Sequence, residues 1–347
     1  MRERSLFAAI LGLALVLSAT PPVAAQDKFE LKLGHYVPAG HFFSRYLENW
    51  ANALREQSDG RLDIAVFAGA QMGPTPRYYD MARTGVVDIA WVLHGATPGR
   101  FPLTELINLP YLVGSAEIGA KVLNDPAVRA RLEPEHEGVK VLYLFTHQPG
   151  NLHTREKPVR SPADLQGMRV RFAAATIREY LAALGATPVG VPPPEIAEAL
   201  QKGTVDGVLI DYGGAHTAFK LGGLVDYTTE LYAYVTSFAV VMNSESFERL
   251  PEDLQALIEE TTTGVAEEIG KLWDAADAPG RAYLQAEGGE AIVPTPEEAA
   301  AFHEVGAEVT DKVVADLTAQ GLPAREVYEL MRERSDHYAR TSFSFLE

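Results

Sequence analysis

The sequence predicts an α/β chain of two similar lobes, each a mostly parallel sheet flanked by helices. Three observations carry that expectation. Residues 29–93 and 169–210 each read strand, helix, strand, helix, strand. At an offset of 118 residues, Pro76, Gly85, Val87 and Asp88 fall on Pro194, Gly203, Val205 and Asp206. The 347 residues suffice for two domains of ordinary size. Two β-α-β-α-β units imply parallel strands joined by right-handed crossovers.

The first stretch stands apart from that fold. Arg2 and Arg4 precede an uncharged apolar run over 6–17, then small residues ending Val23-Ala24-Ala25. A basic start, an apolar middle and a small-residue site spell a secretory leader, expected to be cut after Ala25. The run is shorter than the ~20 residues of a membrane span, and no later segment is longer, so no direct membrane insertion of the mature chain is expected. The mature chain is therefore expected outside the cytoplasm.

The elements follow in order. Residues 29–33 alternate apolar and polar and read as a strand ending at Gly34-His35-Tyr36. Phe43, Leu47, Trp50 and Leu54 recur at helical spacing within 42–57, and Asp59-Gly60 closes the helix. Residues 62–67 form a second strand. Thr75-Pro76 starts a short helix that Gly85 stops, and 86–93 is an apolar third strand. A helix lies near 117–123, and 139–145 is another apolar strand. In the second unit, strands cover 169–172, 187–191 and 205–210, with helices over 176–184 and 194–202. Residues 234–243 are a long β-branched and aromatic run. From 253 the pattern is helical to about 285, with Pro279 marking a kink, and helices over 296–320 and 323–337 complete the chain. Two passes between lobes, near 145–150 and 234–238, would make a paired hinge. The expected division is 1–25 leader, 26–148 plus 236–275 lobe I, and 149–235 plus 276–347 lobe II with the C-terminal helices.

Composition narrows the partners. The net charge is −17 with 47 acidic residues, and losing Arg2, Arg4 and Glu3 with the leader leaves the remainder one unit more acidic. Such a surface argues against nucleic acid or an anionic membrane. There is no cysteine, which excludes disulfides and a thiol nucleophile and leaves stability to the core.

Open α/β sheets bind ligands beyond the carboxyl ends of their strands. On one lobe this points to His35, Tyr36, Thr75, Trp91 and His94; on the other to Arg171, Phe172, Pro193, Ile210, Asp211 and Tyr212. Histidine aside, Arg171 is the one cation among these ends. Its planar fork matches a carboxylate, yet spacing alone also allows a structural acid such as Asp206 as its partner. Asp211 is open between a ligand ammonium, a bridging cation and a loop cap. The sequence contains no GxSxG, HExxH or P-loop motif, and the chain is not expected to be an enzyme. No metal site or cofactor is expected.

The ordered set KLGH at 32–35, AQMG at 70–73, GVVD at 85–88, LPY at 109–111, SPADLQGMRVR at 161–171, LGATP at 184–188, ALQKGTVDG at 199–207 and LPEDL at 250–254 resembles the periplasmic solute-binding proteins of tripartite ATP-independent periplasmic (TRAP) transporters, the C4-dicarboxylate-binding (DctP) type. The resemblance implies a two-lobed periplasmic binding protein fold braced by a long helix. It implies closure on an organic carboxylate and delivery to small and large membrane subunits. The family's signature arginine falls on Arg171. Where many members carry a second carboxylate-contacting arginine this chain has Asn151, and Ile210 stands where asparagine is usual. With Leu93 the expected lining is largely apolar or aromatic, so the ligand expected is a monocarboxylate with an apolar or aromatic body, or a short oxo or hydroxy acid. The alternatives are a ligand-presenting partner of a receptor kinase and a secreted α/β hydrolase or lyase using His35 or His94 as base.

Overall fold

The computed structural model describes residues 27–343; the leader and its cleavage site lie outside them. Strand β1 (Phe29–Gly34) pairs in parallel with β2 (Leu62–Phe67) on one side and β3 (Ile89–Leu93) on the other. Helix α1 (Phe42–Gln57) connects the first two and buries Phe43, Leu47, Trp50 and Leu54 along one stripe. Its start is capped by His41, whose Nδ1 accepts from Phe43 N at 3.1 Å. The short α2 (Tyr78–Arg83) leads into β3. Helix α3 (Ala116–Asn124) and helix α4 (Pro126–Leu132), the second not anticipated, precede β4 (Val139–Thr146).

The chain then enters a second sheet. Strand β5 (Asn151–Thr154) lies antiparallel to β8, while β6 (Arg169–Phe172) is flanked in parallel by β7 (Thr187–Gly190) and β8 (Gly207–Ile210). Helices α5 (Ala175–Ala183) and α6 (Ile196–Gln201) are the crossovers. Strand β9 (Tyr227–Thr229) follows, and β10 (Ser237–Asn243) returns to the first sheet, antiparallel to both β3 and β4. The strand orders are β2-β1-β3-β10-β4 and β11-β9-β5-β8-β6-β7, with β11 at Glu290–Ile292. Each sheet is thus a parallel three-strand core whose fourth strand arrives from the other lobe. The two crossing passes hydrogen-bond to each other: Gly150 N donates to Tyr234 O at 2.7 Å and Ala233 N to Gly150 O at 3.0 Å.

The internal repeat survives at the level of single hydrogen bonds. Val86 N and Val87 N donate to Met81 O, and 118 residues later Thr204 N and Val205 N donate to Ala199 O. Gly85 and Gly203 end the helices with φ of 72° and 65°, a region open to glycine. These turns absorb residues 86–88 and 205–206, so both strands start later than their apolar runs suggest. Asp88 then exchanges bonds with Lys32, and Asp206 with Arg169: in each pair the carboxylate accepts from the partner's N–H at 2.8 Å.

After β10 come α7 (Ser244–Glu248), α8 (Glu252–Thr262), α9 (Val265–Asp274) and α10 (Asp277–Ala286). The single kinked helix expected over 253–285 is therefore three. Gly264, at φ 75°, breaks the first joint, whereas Pro279 sits in the first turn of α10, where its missing N–H has no intrahelical partner to lose. Helix α11 (Pro296–Ala319) opens with a capping box, Thr295 with Glu298. It places Phe302 and Val309 in the second lobe's core and Val314 in the first, so this 24-residue helix braces both lobes. Helix α12 (Ala324–Phe343) corrects the expected grouping with the second lobe: Ala324, Val327 and Met331 enter the first core, and Ser335 Oγ donates to Leu112 O at 2.7 Å.

Candidate functional site

Between the sheets lies a cavity of about 50 Å³. The carboxyl ends of the parallel strands supply Tyr36, Leu93, Arg171 and Asp211 to its wall, and the crossing passes supply His147, Tyr234, Thr236 and Phe238. Trp91 comes from β3, and Trp273 reaches in from the last turn of α9. Trp91 stands 5.0 Å from Tyr36 and 5.6 Å from Phe238, and Phe238 lies nearly parallel to Trp273. These rings form an apolar box with faces and edges to offer a flat body.

Arg171 is 3% exposed. Its Nε donates to Val191 O at 3.1 Å, and among the described residues its two Nη nitrogens have no hydrogen bond and no carboxylate within salt-bridge distance. Burial pushes the guanidinium down from its ordinary pKa, opposed by Tyr234, Tyr36 and Asp211. Asp206, the structural acid weighed against a ligand, is engaged with Arg169 through Oδ2–N at 2.8 Å and Oδ1–Nη2 at 2.5 Å. An arginine stays cationic even so, and a buried cation without an anion is costly. A carboxylate in the cavity would remove that cost with two parallel hydrogen bonds.

Asp211 directly follows β8 and lines the same cavity. Oδ2 accepts from Gly214 N at 2.6 Å, so the loop-cap role is real. With its amide turned to satisfy both ends, Gln148 donates to Asp211 Oδ2 and Trp273 O, each at 3.2 Å, and accepts from Gly213 N at 3.0 Å. Burial raises the Asp211 pKa, while His147, the Gly214 N–H and Arg171 pull it back. His147 is held low by burial against the attraction of Asp211. Among the described residues, the buried indole Nε1 of Trp91 and Trp273 and the Thr236 hydroxyl have no hydrogen-bond partner.

The structure gathers Tyr36, Trp91, Arg171, Pro193, Ile210 and Asp211 around this cavity. The other candidates from the sequence lie outside its lining. His35 Nε2 pairs with Ser44 Oγ at 3.1 Å. His94 is fully buried between Ser237 Oγ and His136 Nε2, each at 3.1 Å. Asn151 Oδ1 accepts from Tyr232 N at 2.9 Å, securing the crossing strand. Tyr212 Oη donates to Glu230 at 2.9 Å, Phe172 sits over Gly190, and Thr75 is buried at the start of a 3-10 turn. The lining residues that sequence reasoning missed are Val37, His41, His147, Ala173, Gly214, Ala218, Phe219, Tyr234, Thr236, Phe238 and Trp273. Val37 and Ala173 each follow a named candidate by one or two positions, so widening the strand-end rule would have included them. Trp273 carried no local signal.

A family description, bacterial extracellular solute-binding protein, family 7 (DctP), matches residues 33–316. A TRAP solute-binding protein of an unidentified marine microbe, specific for aromatic acid ligands and solved with metahydroxyphenylacetate, superposes with a TM-score of 0.86 at 30% identity, covering 90% of this chain and 99% of that one. A TRAP solute-binding protein of Rhodoferax ferrireducens T118 with copurified benzoate gives 0.86 at 28% identity, over 91% and 100%. One from Bordetella bronchiseptica with both mandelate enantiomers gives 0.79 at 28%, over 89% and 99%.

Proposed function

This chain belongs to the bacterial extracellular solute-binding protein family 7, and we infer from that membership and the cavity that it is the solute-binding component of a TRAP transporter, capturing an organic carboxylate between its lobes. The single observation that carries the reading is Arg171, a buried guanidinium in an aromatic-walled cavity whose two Nη groups have no hydrogen bond among the described residues. The ligand carboxylate forks onto Arg171, and its body lies among Tyr36, Trp91, Phe238 and Trp273. Uronic acids would bring many hydroxyls to a wall with few polar partners, so the ligand we assign is an aromatic monocarboxylate. Relatives of similar fold that hold benzoate, mandelate and a hydroxyphenylacetate support that class.

Binding drives closure only by its greater affinity for the closed arrangement, with the paired crossing strands as hinge. In our reading the loaded form docks on the small and large membrane subunits outside the cytoplasm, after the leader is removed. The hydrolase reading loses its residues: His35 and His94 are both engaged in the core, away from the cavity. Thermal-shift and calorimetric panels test the assignment. Benzoate, phenylacetate or mandelate should bind stoichiometrically and unchanged; stabilisation by uronic or sialic acids alone would overturn it.

A further inference from the structure

We propose that Asp211 and His147 form a second polar subsite in this cavity, one that accepts a hydrogen bond from a hydroxyl group of the bound aromatic acid and so selects hydroxylated acids over their unsubstituted parents. The proposal rests on the carboxylate reading of Arg171 and adds to it a determinant of specificity.

The two oxygens of Asp211 are not equivalent. Oδ2 is held by Gly214 N at 2.6 Å and by the Gln148 amide at 3.2 Å. Oδ1 has no hydrogen-bond donor among the described residues; its nearest cationic candidate is His147 Nδ1 at 3.8 Å, too far for a hydrogen bond. That nitrogen is already committed, since it bonds the backbone carbonyl of Gln148. A carbonyl only accepts, so the neutral His147 ring carries its proton on Nδ1 and presents Nε2 as an acceptor. No protein donor meets Nε2 among the described residues.

The backbone is shaped around this carboxylate. A Cβ on Gly213 would stand 3.2 Å from Asp211 Oδ2, and one on Gly214 only 2.9 Å from Oδ1. The glycine pair lets the turn wrap the acid while keeping Oδ1 uncovered. The cavity therefore holds one cation with unused donors, Arg171, and, besides the Thr236 hydroxyl, two acceptors with no donor among the described residues, Asp211 Oδ1 and His147 Nε2. A ligand carrying a carboxylate at one end and a donor at the other satisfies both.

A hydroxyl fits better than an ammonium. An ammonium brings three donors and no acceptor, and the apolar Ile210, Ala218 and Phe219 on the same wall meet none of them. A carboxylate placed near Asp211 also favours protonation of that acid, whose burial already pushes in this direction. A hydroxyl can donate to the ionised acid or accept from the protonated one, while an ammonium can only donate. Groups buried to hydrogen-bond a ligand hydroxyl discriminate strongly against the analogue that lacks it.

The test is isothermal titration of the full mature protein with benzoate, 3- and 4-hydroxybenzoate, phenylacetate, mandelate and phenylalanine. At least one hydroxylated acid should bind at least about tenfold more tightly than its parent. Asp211→Asn, which keeps the volume and an oxygen for Gly214 N, should shrink that ratio to within about threefold. A His147→Phe variant should shrink it in the same direction. Tight binding of parent acids with no hydroxyl preference overturns the subsite and leaves the Arg171 reading standing. Tightest binding of phenylalanine overturns the hydroxyl assignment, and failure of every monocarboxylate overturns the Arg171 reading itself. Should the variants misfold, a crystal structure of the wild type with its best hydroxylated acid decides: a hydroxyl oxygen beyond hydrogen-bond distance of both Asp211 Oδ1 and His147 Nε2 refutes the proposal.

Discussion

Asp206 closes both carboxylate oxygens on Arg169, taking its backbone N–H at 2.8 Å, its Nε at 3.1 Å and its Nη2 at 2.5 Å. Arg169 and Arg171 lie two residues apart on β6, yet among the described residues only Arg169 is paired with a carboxylate. The acid that could have neutralised Arg171 is spent on its neighbour, and this keeps the Arg171 fork available in the cavity.

Arg171→Ala should therefore weaken binding of the aromatic acid by about 2–5 kcal/mol, measured by titration calorimetry, because one partner of a buried charge pair is lost. Arg171→Met separates function from stability. It removes an uncompensated buried cation, so the unliganded protein should melt at the same or a higher temperature while ligand affinity collapses. A melting point lowered by several degrees would mean that Arg171 is structural.

The two equivalent aspartates should differ in weight. Asp206 binds Arg169 alone, and its partner is substantially exposed, so much of that ion pair is screened. Asp88 is 8% exposed and accepts from Lys32 N at 2.8 Å, Ser246 Oγ at 2.6 Å and Arg249 Nη2 at 2.9 Å, joining β1, β3 and α7. Urea unfolding should show Asp88→Ala costing about 2–3 kcal/mol and Asp206→Ala about 1 kcal/mol, since stranded buried donors carry the larger penalty. Neither change should alter ligand affinity more than about threefold.

Gly95 gives access to closure without touching the ligand. It follows β3 in the first lobe, and a Cβ there would stand 2.5 Å from Ala173 O in the second. Gly95→Ala should hold the lobes apart and reduce affinity by at least about tenfold, with little loss of thermal stability, because the clash exists only where the lobes meet. Small-angle scattering in saturating ligand should report a larger radius of gyration than for the wild type.

Glu105 predicts a pH dependence of opposite sign to that of the histidines. Burial, opposed by the Ala175 N–H and aided by Glu135, raises its pKa to about 7. The folded state then binds more protons than the unfolded one between roughly pH 4.5 and pH 7, so this residue makes stability fall as pH rises through that window and has no further effect above it. Burial lowers His136 to about 4 and His94 well below its usual value, so these two make stability fall as pH drops below about 6.5. Glu105→Gln should remove the first slope only. Chemical denaturation from pH 5 to 8 should show the variant gaining on the wild type as pH rises, by up to about 3 kcal/mol at pH 8.

His94 illustrates how a residue well placed in sequence ends up elsewhere in function. It directly follows β3, as strand-end ligand residues do, but its ring is drawn into a chain of neutral hydrogen bonds. His136 Nδ1 bonds Leu132 O at 3.0 Å, which leaves His136 Nε2 to accept from His94 Nε2, and His94 Nδ1 to accept from Ser237. The partners come from segments 42 and 143 residues away, which no local pattern announces.

What the sequence by itself determined is what short-range physics controls. Alternation and 3.6-residue periodicity located the elements, and glycines at positive φ ended the helices in both halves of the repeat. The ordered motifs identified the family, and the strand-end rule brought Arg171, Tyr36, Trp91, Pro193, Ile210 and Asp211 to the cavity wall. Tertiary structure decided the rest. It spent Asp206 on Arg169, drew His35, His94 and Tyr212 into other hydrogen bonds, seated α12 on the first lobe and brought Trp273 from α9 into the binding cavity. Those outcomes depend on which distant surfaces meet when two sheets and a bracing helix pack together. Hydrogen-bond competition and burial at such contacts are settled by what packing brings together, from 9 positions apart for His35 and Ser44 to 143 for His94 and Ser237, which no pattern along the chain announces.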